Sequence, residues 1–502
     1  MSNLLSASDL SRKHIYMVGI KGTGMAALAE ILAARGAELT GSDVEEEFYT
    51  DSILRKAGIP YHNGFSVQNL PDEVDLVIYS AAYDVSTHPE LVELHRRGLP
   101  MLRYTEALGR LSVGPFSVGI TGVHGKTTTT ALVAAIVGEL ALPVTVLAGS
   151  ALAGRDGRST LIQGTDAFVA ETCEYRRHFL DFAPDVILVT SVEADHLDYF
   201  RDFEDVCDAF VEYGRTLPEN GVLIYCGDDR GAFSVAQRLV QERRDLRLRS
   251  YGITAACDSV VTPPVLTGGS VRFSLDGERY ELAVPGVHNA LNAAGAILVV
   301  EELYARVRGG RGRGGRVPHR ELAPQIRKAL AHFRGTRRRA ERVGEAQGIL
   351  VLDDYAHHPT AIETTLAGFR SFYPGRRLVL SFMSHTFTRT RSLLPEFAHA
   401  LLEADVLFLH DIYASAREAN PGNLDGTVLA EAVRRAAREK GQGEPALCYV
   451  ANPDEAVGEV MSMLEPGDLF VTMGAGNNWR LGRLVLEELT TPHDRTSEAA
   501  ND

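Results

Sequence analysis

The chain has 502 residues and a formal net charge of −15, with 45% hydrophobic and 23% charged residues. This composition is typical of a folded globular protein, the length predicts two to four domains, and the acidic balance disfavours a nucleic-acid partner. The five cysteines form no CxxC pair, which indicates a reducing compartment and argues against a zinc site. No stretch has the pattern of a signal peptide or the roughly 18 apolar residues of a membrane span, so we expect a cytoplasmic protein without a membrane partner.

The first predicted elements have the layout of a dinucleotide-binding unit. They are, in order, a strand at 14–20, a turn at 19–24, a helix at 25–35 and a strand at 37–41. Asp43 follows the second strand, as an acid does in NAD-binding proteins, but Gly19, Gly22 and Gly24 are spaced G-x-x-G-x-G instead of G-x-G-x-x-G. A turn of this shape at a helix N-terminus can hold any diphosphate, including that of a nucleotide sugar, or can serve packing only.

The rest of the first region continues the same predicted sheet. A strand at 75–80 ends at Ser80, where small neighbouring residues leave room for a ligand at the carboxyl end of the strand. Helical patterning over 83–110 then closes a first domain, which we place at 1–112.

A phosphate-binding turn opens the second region. An apolar strand ends at Ile120, the segment from Gly122 reads GVHGKTTTT, and a helix is predicted from Lys126. Backbone N–H groups and the helix dipole would meet an anion there, Lys126 would contact the outer phosphates, and the Thr127 hydroxyl would be a Mg²⁺ ligand. The spacing is the shorter G-x-x-G-K-T, and a glycine-rich turn without a ligand is the alternative.

Two later strands of this region end in acidic or imidazole side chains. The strand at 165–171 presents Glu171 and Glu174, and the strand at 185–191 leads to His196. Because the carboxyl ends of parallel strands share one edge of a sheet, these groups are expected near the Mg²⁺ and the γ-phosphate. After a single strand such residues are more often caps or surface groups, so the expectation depends on both sets following one phosphate turn.

The second region ends in a strand-rich stretch, a helix and a basic segment. Residues 220–285 are predicted to be rich in strands, and Asn289 and Asn292 lie three apart at the following helix start. Their amides could read a base edge or simply cap the helix. The arginine- and glycine-rich segment at 306–320 is predicted to be a flexible surface loop, with RNA binding as a weak alternative, and the domain is placed at 113–336.

The third region alternates strands and helices again, and we place it at 337–490. Its predicted strands are 349–353, 377–382, 406–410 and 469–473, and its predicted helices begin at 360, 392 and 427. Polar turns at 353–359 and 384–391 follow strands, on the ligand side of an open sheet. The tail at 491–502 is polar and is predicted to be disordered.

Seven segments in this order resemble the Mur ligase family. They are GIKGTGM from Gly19, GVHGKTTTT from Gly122, ETCEY from Glu171, EADH from Glu193, HNALN from His288, DYAHHP from Asp354 and TMGAG from Thr472. The resemblance implies an α/β protein of three domains. These would be a Rossmann-like UDP-binding domain, a central P-loop ATPase domain with a mainly parallel sheet, and a C-terminal Rossmann-like domain.

The resemblance implies an ATP-dependent ligase that forms an amide bond in peptidoglycan precursor synthesis. It is strongest for the branch that joins L-alanine to the carboxylate of UDP-N-acetylmuramate through an acyl phosphate, with ATP and Mg²⁺ as cofactors. No nucleic acid or membrane is implied as a partner, and a monomer or weak homodimer is expected. Residues 201–249 contain no lysine, which agrees with the alanine-adding branch because other members carry a carbamylated lysine there.

The resemblance also implies roles for individual residues. The catalytic set is Lys126, Glu171, Glu174, His196 and Asn289. The ATP-binding set is Gly122, His124, Gly125, Lys126, Thr127, Thr128, His288, Asn289, Asn292, Arg338, Arg339 and Asp354. The nucleotide-sugar set is Gly19, Gly22, Gly24, Met25, Asp43 and Ser80, and the amino-acid set is Tyr355, His357 and Arg389. The Mg²⁺ ligands are Thr127, Glu171 and His196, the last near a second metal or the acyl phosphate.

One departure and three alternatives accompany this interpretation. Thr386 stands where many alanine-adding enzymes have a second arginine, so fewer charges would hold the amino-acid carboxylate. The first alternative is a sister ligase that attaches a preformed peptide or another amino acid to the same nucleotide sugar. The others are an NAD-dependent oxidoreductase that uses the turn at 19–24 and a nucleotide-binding regulatory protein without turnover.

Overall fold

The structure is a computed structural model that describes residues 4–6, 9–153, 157–196, 199–267, 269–309, 319–414, 424–441, 443 and 445–491. The chain forms two compact units, unit 1 over Met1–Thr336 and unit 2 over Arg337–Asp502. Among the described residues, no helix is long and apolar enough to cross a membrane. The division of unit 1 into two domains stays a prediction, although it contains two separate large sheets.

The first sheet of unit 1 has five parallel strands in the order β3-β2-β1-β4-β5. Its elements are β1 (His14–Val18), α1 (Thr23–Ala34), β2 (Glu38–Asp43), α2 (Tyr49–Lys56), β3 (Tyr61–Asn63), β4 (Leu76–Tyr79), α3 (Pro89–Arg96), β5 (Met101–Arg103) and α4 (Tyr104–Ser112). The strand order reverses beside β1, so a ligand crevice lies at the carboxyl ends of β1 and β4. The helical patterning over 83–110 corresponds to α3 and α4, but it missed β5 between them, whose three residues pair with β4.

The second sheet has the order β13-β12-β11-β10-β6-β9-β7-β8 and is parallel except for the β7–β8 pair. Its elements are β6 (Phe116–Thr121), α5 (Lys126–Glu139), β7 (Val144–Leu147), β8 (Thr160–Ile162), β9 (Ala167–Glu171), β10 (Val186–Val189), α6 (Phe203–Arg215), β11 (Val222–Cys226), α7 (Arg230–Glu242), β12 (Arg247–Gly252) and β13 (Ser259–Val260). The strand-rich prediction for 220–285 missed α7, a helix with one buried and one exposed face. The central strands β6, β9 and β10 are buried on both faces, which explains their apolar runs.

A small antiparallel sheet and two helices complete unit 1. They are β14 (Val265–Thr267), β15 (Ser270–Leu275), β16 (Glu278–Leu282), α8 (His288–Gly309) and α9 (His319–His332). Helices α8 and α5 pack against each other, so α8 is buried along most of its length. The loop predicted at 306–320 begins and ends inside helices, and its residues 310–318 lie outside the described residues.

Unit 2 is a sheet in the order β17-β18-β22-β19-β20-β21, in which only β17 is antiparallel. Its elements are β17 (Glu341–Ala346), β18 (Ile349–Asp354), α10 (Pro359–Phe372), β19 (Leu378–Met383), α11 (Phe387–Ser392), α12 (Leu394–Leu401), β20 (Val406–Leu409), α13 (Gly426–Lys440), β21 (Ala446–Tyr449), α14 (Val457–Met463), β22 (Leu469–Gly474) and α15 (Trp479–Thr490). The helix predicted from 392 begins earlier and is two helices, because Thr386 caps α11. Residues 492–502 of the predicted disordered tail lie outside the described residues.

Candidate active site

The turn after β6 can be formed only with glycine at two positions. Gly122 has φ +135° and a Cβ there would lie 2.9 Å from the backbone N and O of Ser191, while Gly125 has φ +83° and caps α5. The N–H of His124 donates to Ser191 Oγ at 2.9 Å, which fixes the turn to the end of β10. The first intrahelical bond of α5 is donated by Thr129, so the earlier N–H groups are free to meet an anion.

Lys126 and Glu174 form the charged centre of this region. Lys126 Nζ lies 3.0 Å from Glu174 Oε2 and also donates to the carbonyl of Gly122. His196 Nε2 lies 3.8 Å from Glu174 Oε1. Burial alone lowers the pKa of Lys126, but Glu174 and its acidic neighbours raise that pKa overall, so the ammonium stays charged. The predicted residues of both strand ends are therefore brought together.

Thr127 and Glu171 form a second pair, and their geometry fits a magnesium ion. Thr127 Oγ1 lies 3.1 Å from Glu171 Oε1, and Glu171 Oε2 accepts a hydrogen bond from the N–H of Gly149 at 2.7 Å. Two neighbouring ligands of an octahedral Mg²⁺ stand about 3 Å apart, since each lies about 2.1 Å from the ion. A hydroxyl and a carboxylate oxygen at this separation are thus a suitable ligand pair.

Two histidines lie beside the phosphate-binding turn at 122–125, which we call the cradle. His124 Nε2 is paired with the Glu193 carboxylate. Burial, reinforced by the nearby His124, lowers the pKa of His288 to about 4, so His288 is neutral at pH 7. Its Nδ1 atom is buried without a hydrogen-bond partner among the described residues. A neutral imidazole next to the cradle suits contact with an uncharged base.

Asn289 and Asn292 bond to each other instead of standing free for a ligand. Asn292 Nδ2 donates to Asn289 Oδ1 at 2.9 Å, and Asn289 Nδ2 donates to the carbonyl of Pro285 at 2.7 Å. Asn292 also lies against Gly125, where a Cβ would come 2.5 Å from its Oδ1. The spacing had suggested that both amides could read a base edge. In the structure the amide of Asn289 instead fixes the start of α8, and Asn292 adjoins the cradle.

The turn at 19–24 lies in the crevice of the first sheet. Gly19 has φ +82° and donates to the carbonyl of Ser42 at 2.8 Å, and the N–H of Ser80 donates to the carbonyl of Val18 at 3.0 Å. Asp43 Oδ2 accepts the N–H of Lys21 at 2.6 Å. The residues predicted to bind the nucleotide sugar are therefore neighbours around one turn.

Met25 is an exception in this group. Its side chain is 3% exposed and packs in the hydrophobic core, so it does not line the turn. Only its backbone N–H, in the first turn of α1, remains to contact a ligand.

Within unit 2, two of the predicted nucleotide contacts are occupied by the protein itself. Arg338 Nε lies 3.2 Å from Asp353 Oδ2, and its Nη2 donates to the carbonyl of Gly474 at 2.6 Å. Asp354 accepts the N–H groups of Ala340 and Ala356, each at 2.7 Å. Arg338 and Asp354 therefore organise the turns after β22 and β18.

The predicted amino-acid residues form an aromatic group in unit 2. The Tyr355 and His357 ring centroids are 4.8 Å apart, and His357 lies 5.5 Å from the ring of His385. Arg389 Nη1 donates to His385 Nδ1 at 3.2 Å, and Tyr413 stacks on the far side of His385 at 6.0 Å. Sequence reasoning missed His385 and Tyr413. The position of His385 in the polar turn after β19 was a usable signal, whereas nothing local marked Tyr413.

Comparison with known proteins gives matches along nearly the whole chain. The Mur ligase family catalytic domain matches residues 14–114, the Mur ligase middle domain matches 120–300, and the glutamate ligase domain of Mur ligases matches 338–476. The UDP-N-acetylmuramate–L-alanine ligase of Treponema pallidum (strain Nichols) is 47% identical over 479 residues, which cover 95% of this chain and 97% of that protein.

Solved structures agree on the fold. The UDP-N-acetylmuramate-alanine ligase of Thermotoga maritima matches with a TM-score of 0.73 at 24% identity, over 95% of this chain and 98% of that one. A murein peptide ligase from Psychrobacter arcticus matches with a TM-score of 0.67 at 22% identity, over 96% and 99%. At these identities the similarity concerns the fold alone.

Proposed function

We infer that this chain, which belongs to the Mur ligase family, is an ATP-dependent ligase that joins L-alanine to the carboxylate of UDP-N-acetylmuramate in peptidoglycan synthesis. The observation that carries the chemistry is the arrangement of Lys126–Glu174 and Thr127–Glu171 around the start of α5. Membership of the family removes the oxidoreductase alternative. The relative named as a ligase at 47% identity also disfavours a regulatory protein without turnover, so the sister ligases are the alternative that needs an experiment.

The reaction must bring two anions together. The muramoyl carboxylate attacks the γ-phosphate of ATP, which gives an acyl phosphate and ADP, and the amino group of L-alanine then displaces phosphate. Lys126 and the free N–H groups of α5 would stabilise the negative charge on the phosphates. When bound, Mg²⁺ would neutralise further phosphate charge, held by Thr127 and Glu171. His196, whose Nε2 lies 3.8 Å from Glu174 Oε1, would contact a second metal or the acyl phosphate.

We assign the remaining residues by motif and by their surroundings. Gly19, Gly22, Gly24 and the N–H groups of α1 would hold the diphosphate of the nucleotide sugar. His288, neutral at pH 7, would contact the adenine. In unit 2, we assign the nucleotide contact to Arg339 ahead of Arg338, since the guanidinium of Arg338 is hydrogen bonded to Asp353 and Gly474. Both guanidinium groups lie over the Tyr355 ring.

Arg389 would bind the carboxylate of L-alanine. Its guanidinium is positioned by a hydrogen bond to His385, while Thr386 stands at the position of a second arginine. Arg389→Ala should therefore raise the KM for L-alanine about ten- to a hundredfold while the KM for ATP changes little. Steady-state kinetics with each substrate varied in turn would measure this. Equal effects on both KM values would remove Arg389 from the amino-acid site.

The function is tested by phosphate release from ATP and Mg²⁺ in the presence of UDP-N-acetylmuramate. L-alanine, glycine, L-serine and the preformed tripeptide should be supplied in parallel. We expect L-alanine to give the highest rate. Release with the tripeptide alone would identify a sister ligase, and no release with any of them would contradict the assignment.

We further propose a monomer or weak homodimer, which sedimentation at several concentrations would test.

A further inference from the structure

Helix α4 is held at its start by its own capping residue and by the segment that joins β9 to β10. The N–H of Arg103 donates to Glu106 Oε2 at 2.7 Å, which caps the helix immediately after β5. Thr105 Oγ1 donates to Asp181 Oδ2 at 2.6 Å, and Asp181 ends the segment that begins just after Glu174. These contacts also position Tyr104, the first residue of α4, without a ligand.

Tyr104 lies against the turn at 19–24. A Cβ on Gly24 would come 2.7 Å from both Cζ and the hydroxyl oxygen of Tyr104, so the ring occupies the space of a side chain at the second residue of α1. The Tyr104 hydroxyl thus lies directly beside the first turn of α1. Glycine at position 24 is therefore required by the tyrosine.

The hydroxyl of Tyr104 is available as a donor. Within the described part of the chain no residue hydrogen bonds to it, and the side chain is only partly buried. Burial, followed by the charge of Glu171, raises the pKa of Tyr104 above its ordinary value, so the phenol keeps its proton at any working pH. A neutral hydroxyl beside the turn at 19–24 can donate to an anionic ligand. It avoids the desolvation cost that burying a charged side chain there would add.

We propose that Tyr104 is a binding residue for the nucleotide sugar and donates a hydrogen bond to its diphosphate. The first turn of α1 selects the diphosphate over the uracil or the sugar, because its N–H groups converge on an anion beside Gly24. This inference rests on the proposed function, which supplies the nucleotide sugar as the ligand. It adds a side chain to a site that otherwise consists of backbone groups.

The test is calorimetric titration of Tyr104→Phe with UDP-N-acetylmuramate, with UDP and with Mg²⁺–ATP. A lost hydrogen bond to a charged group should raise the Kd for both uridine ligands about ten- to a hundredfold, whereas the Kd for ATP should not change. The melting temperature should also stay the same, because the hydroxyl has no protein partner to lose. Tyr304→Phe, near the far end of α8, is the matched control and should leave all three Kd values unchanged.

The outcomes separate the two claims. Unchanged binding of both uridine ligands in Tyr104→Phe would overturn the role of Tyr104, and so would weaker binding of UDP-N-acetylmuramate with unchanged binding of UDP. Failure of the unaltered protein to bind UDP-N-acetylmuramate at all would instead contradict the proposed function. A lower melting temperature with unchanged affinities would assign Tyr104 a structural role and overturn the proposal.

Discussion

The two glycine-rich turns of unit 1, at 19–24 and at 122–125, follow the same plan but use their lysines in different ways. Lys21 is 2% exposed, and its Nζ contacts the carbonyls of Val44 and Glu46 at 2.9 and 3.0 Å and Asp51 Oδ1 at 3.3 Å. Lys126 also donates to a carbonyl of its own turn, that of Gly122, but it lies beside Glu174 and next to the N–H groups at the start of its helix. Both lysines therefore bind carbonyls of the protein itself, and only Lys126 is also placed to act on a ligand.

The acids around the two turns differ in the same way. Both oxygens of Asp43 accept backbone N–H groups, from Lys21 and Val44. Glu171 bonds to a hydroxyl that is itself a possible metal ligand, and Glu174 bonds to Lys126. The first turn is therefore suited to binding alone, whereas the second has the cation and carboxylates that phosphoryl transfer needs.

The largest expected effect comes from removing the lysine of the second turn. Lys126→Ala should lower kcat roughly a thousandfold, because the charge on the transferring phosphoryl group loses its cation. Calorimetry should show UDP-N-acetylmuramate binding unchanged, since that ligand is assigned to the first turn. Lys328→Ala, an exposed lysine paired with Glu139 on α5, is the control. Loss of both turnover and UDP-N-acetylmuramate binding in Lys126→Ala would mean that the two turns are not independent.

Removing the lysine of the first turn should affect stability more than catalysis. Lys21→Met leaves the buried Asp51 carboxylate without its cation, with only the Tyr61 hydroxyl and the Phe48 N–H still donating to it, and should cost about 3 to 5 kcal/mol of unfolding free energy. Urea denaturation would measure this. Adding Asp51→Asn should restore part of the loss. A stable Lys21→Met protein with greatly reduced kcat would contradict the contrast between the two lysines.

A matched glycine pair sharpens the comparison. Gly122→Ala should cost about 2 to 4 kcal/mol, because φ is positive there and the new methyl would meet Ser191. Gly22→Ala should change stability by less than about 0.5 kcal/mol, since the nearest atom to its Cβ is 3.5 Å away. Thermal unfolding of the two variants side by side is the measurement. Similar losses would mean that the first turn is under the same strain.

The smallest effect concerns pH and the imidazole near the second turn. An unfolded histidine protonates below about pH 6.5, whereas His288 protonates near pH 4 in the folded protein, so the unfolded state binds more protons between these values. The contribution of His288 to the free energy of unfolding is complete above about pH 6.5. As the pH falls to about 4, the free energy of unfolding decreases by about 1 to 3 kcal/mol. His288→Gln should flatten this part of the curve in urea titrations at successive pH values. Identical curves would place His288 in contact with water.

Several predictions from the sequence were confirmed because local rules decide them. The family, the α/β class and the ligase function followed from short motifs with fixed spacing, and β1, α1, β6 and α5 lie close to where their apolar patterns predicted them. The failures, at β5, α7 and the start of α11, concern a three-residue strand, an amphipathic helix between strands and a cap. Of these, β5 pairs with β4 and α7 packs on α6, which are contacts between residues distant in the sequence, whereas the α11 cap is a local contact of Thr386 that the pattern did not reveal.

The sequence by itself predicted which turns are suited to bind anions, because glycine spacing and the residue before a helix control the backbone within a few positions. Only the tertiary structure decided what surrounds them. Four contacts show this. They are the burial of Lys21 beside Asp51, the hydrogen bond of Asn292 to Asn289, that of Arg338 to Gly474, and the approach of Tyr104 to Gly24. Such contacts depend on the relative placement of whole strands and helices, which no local pattern encodes.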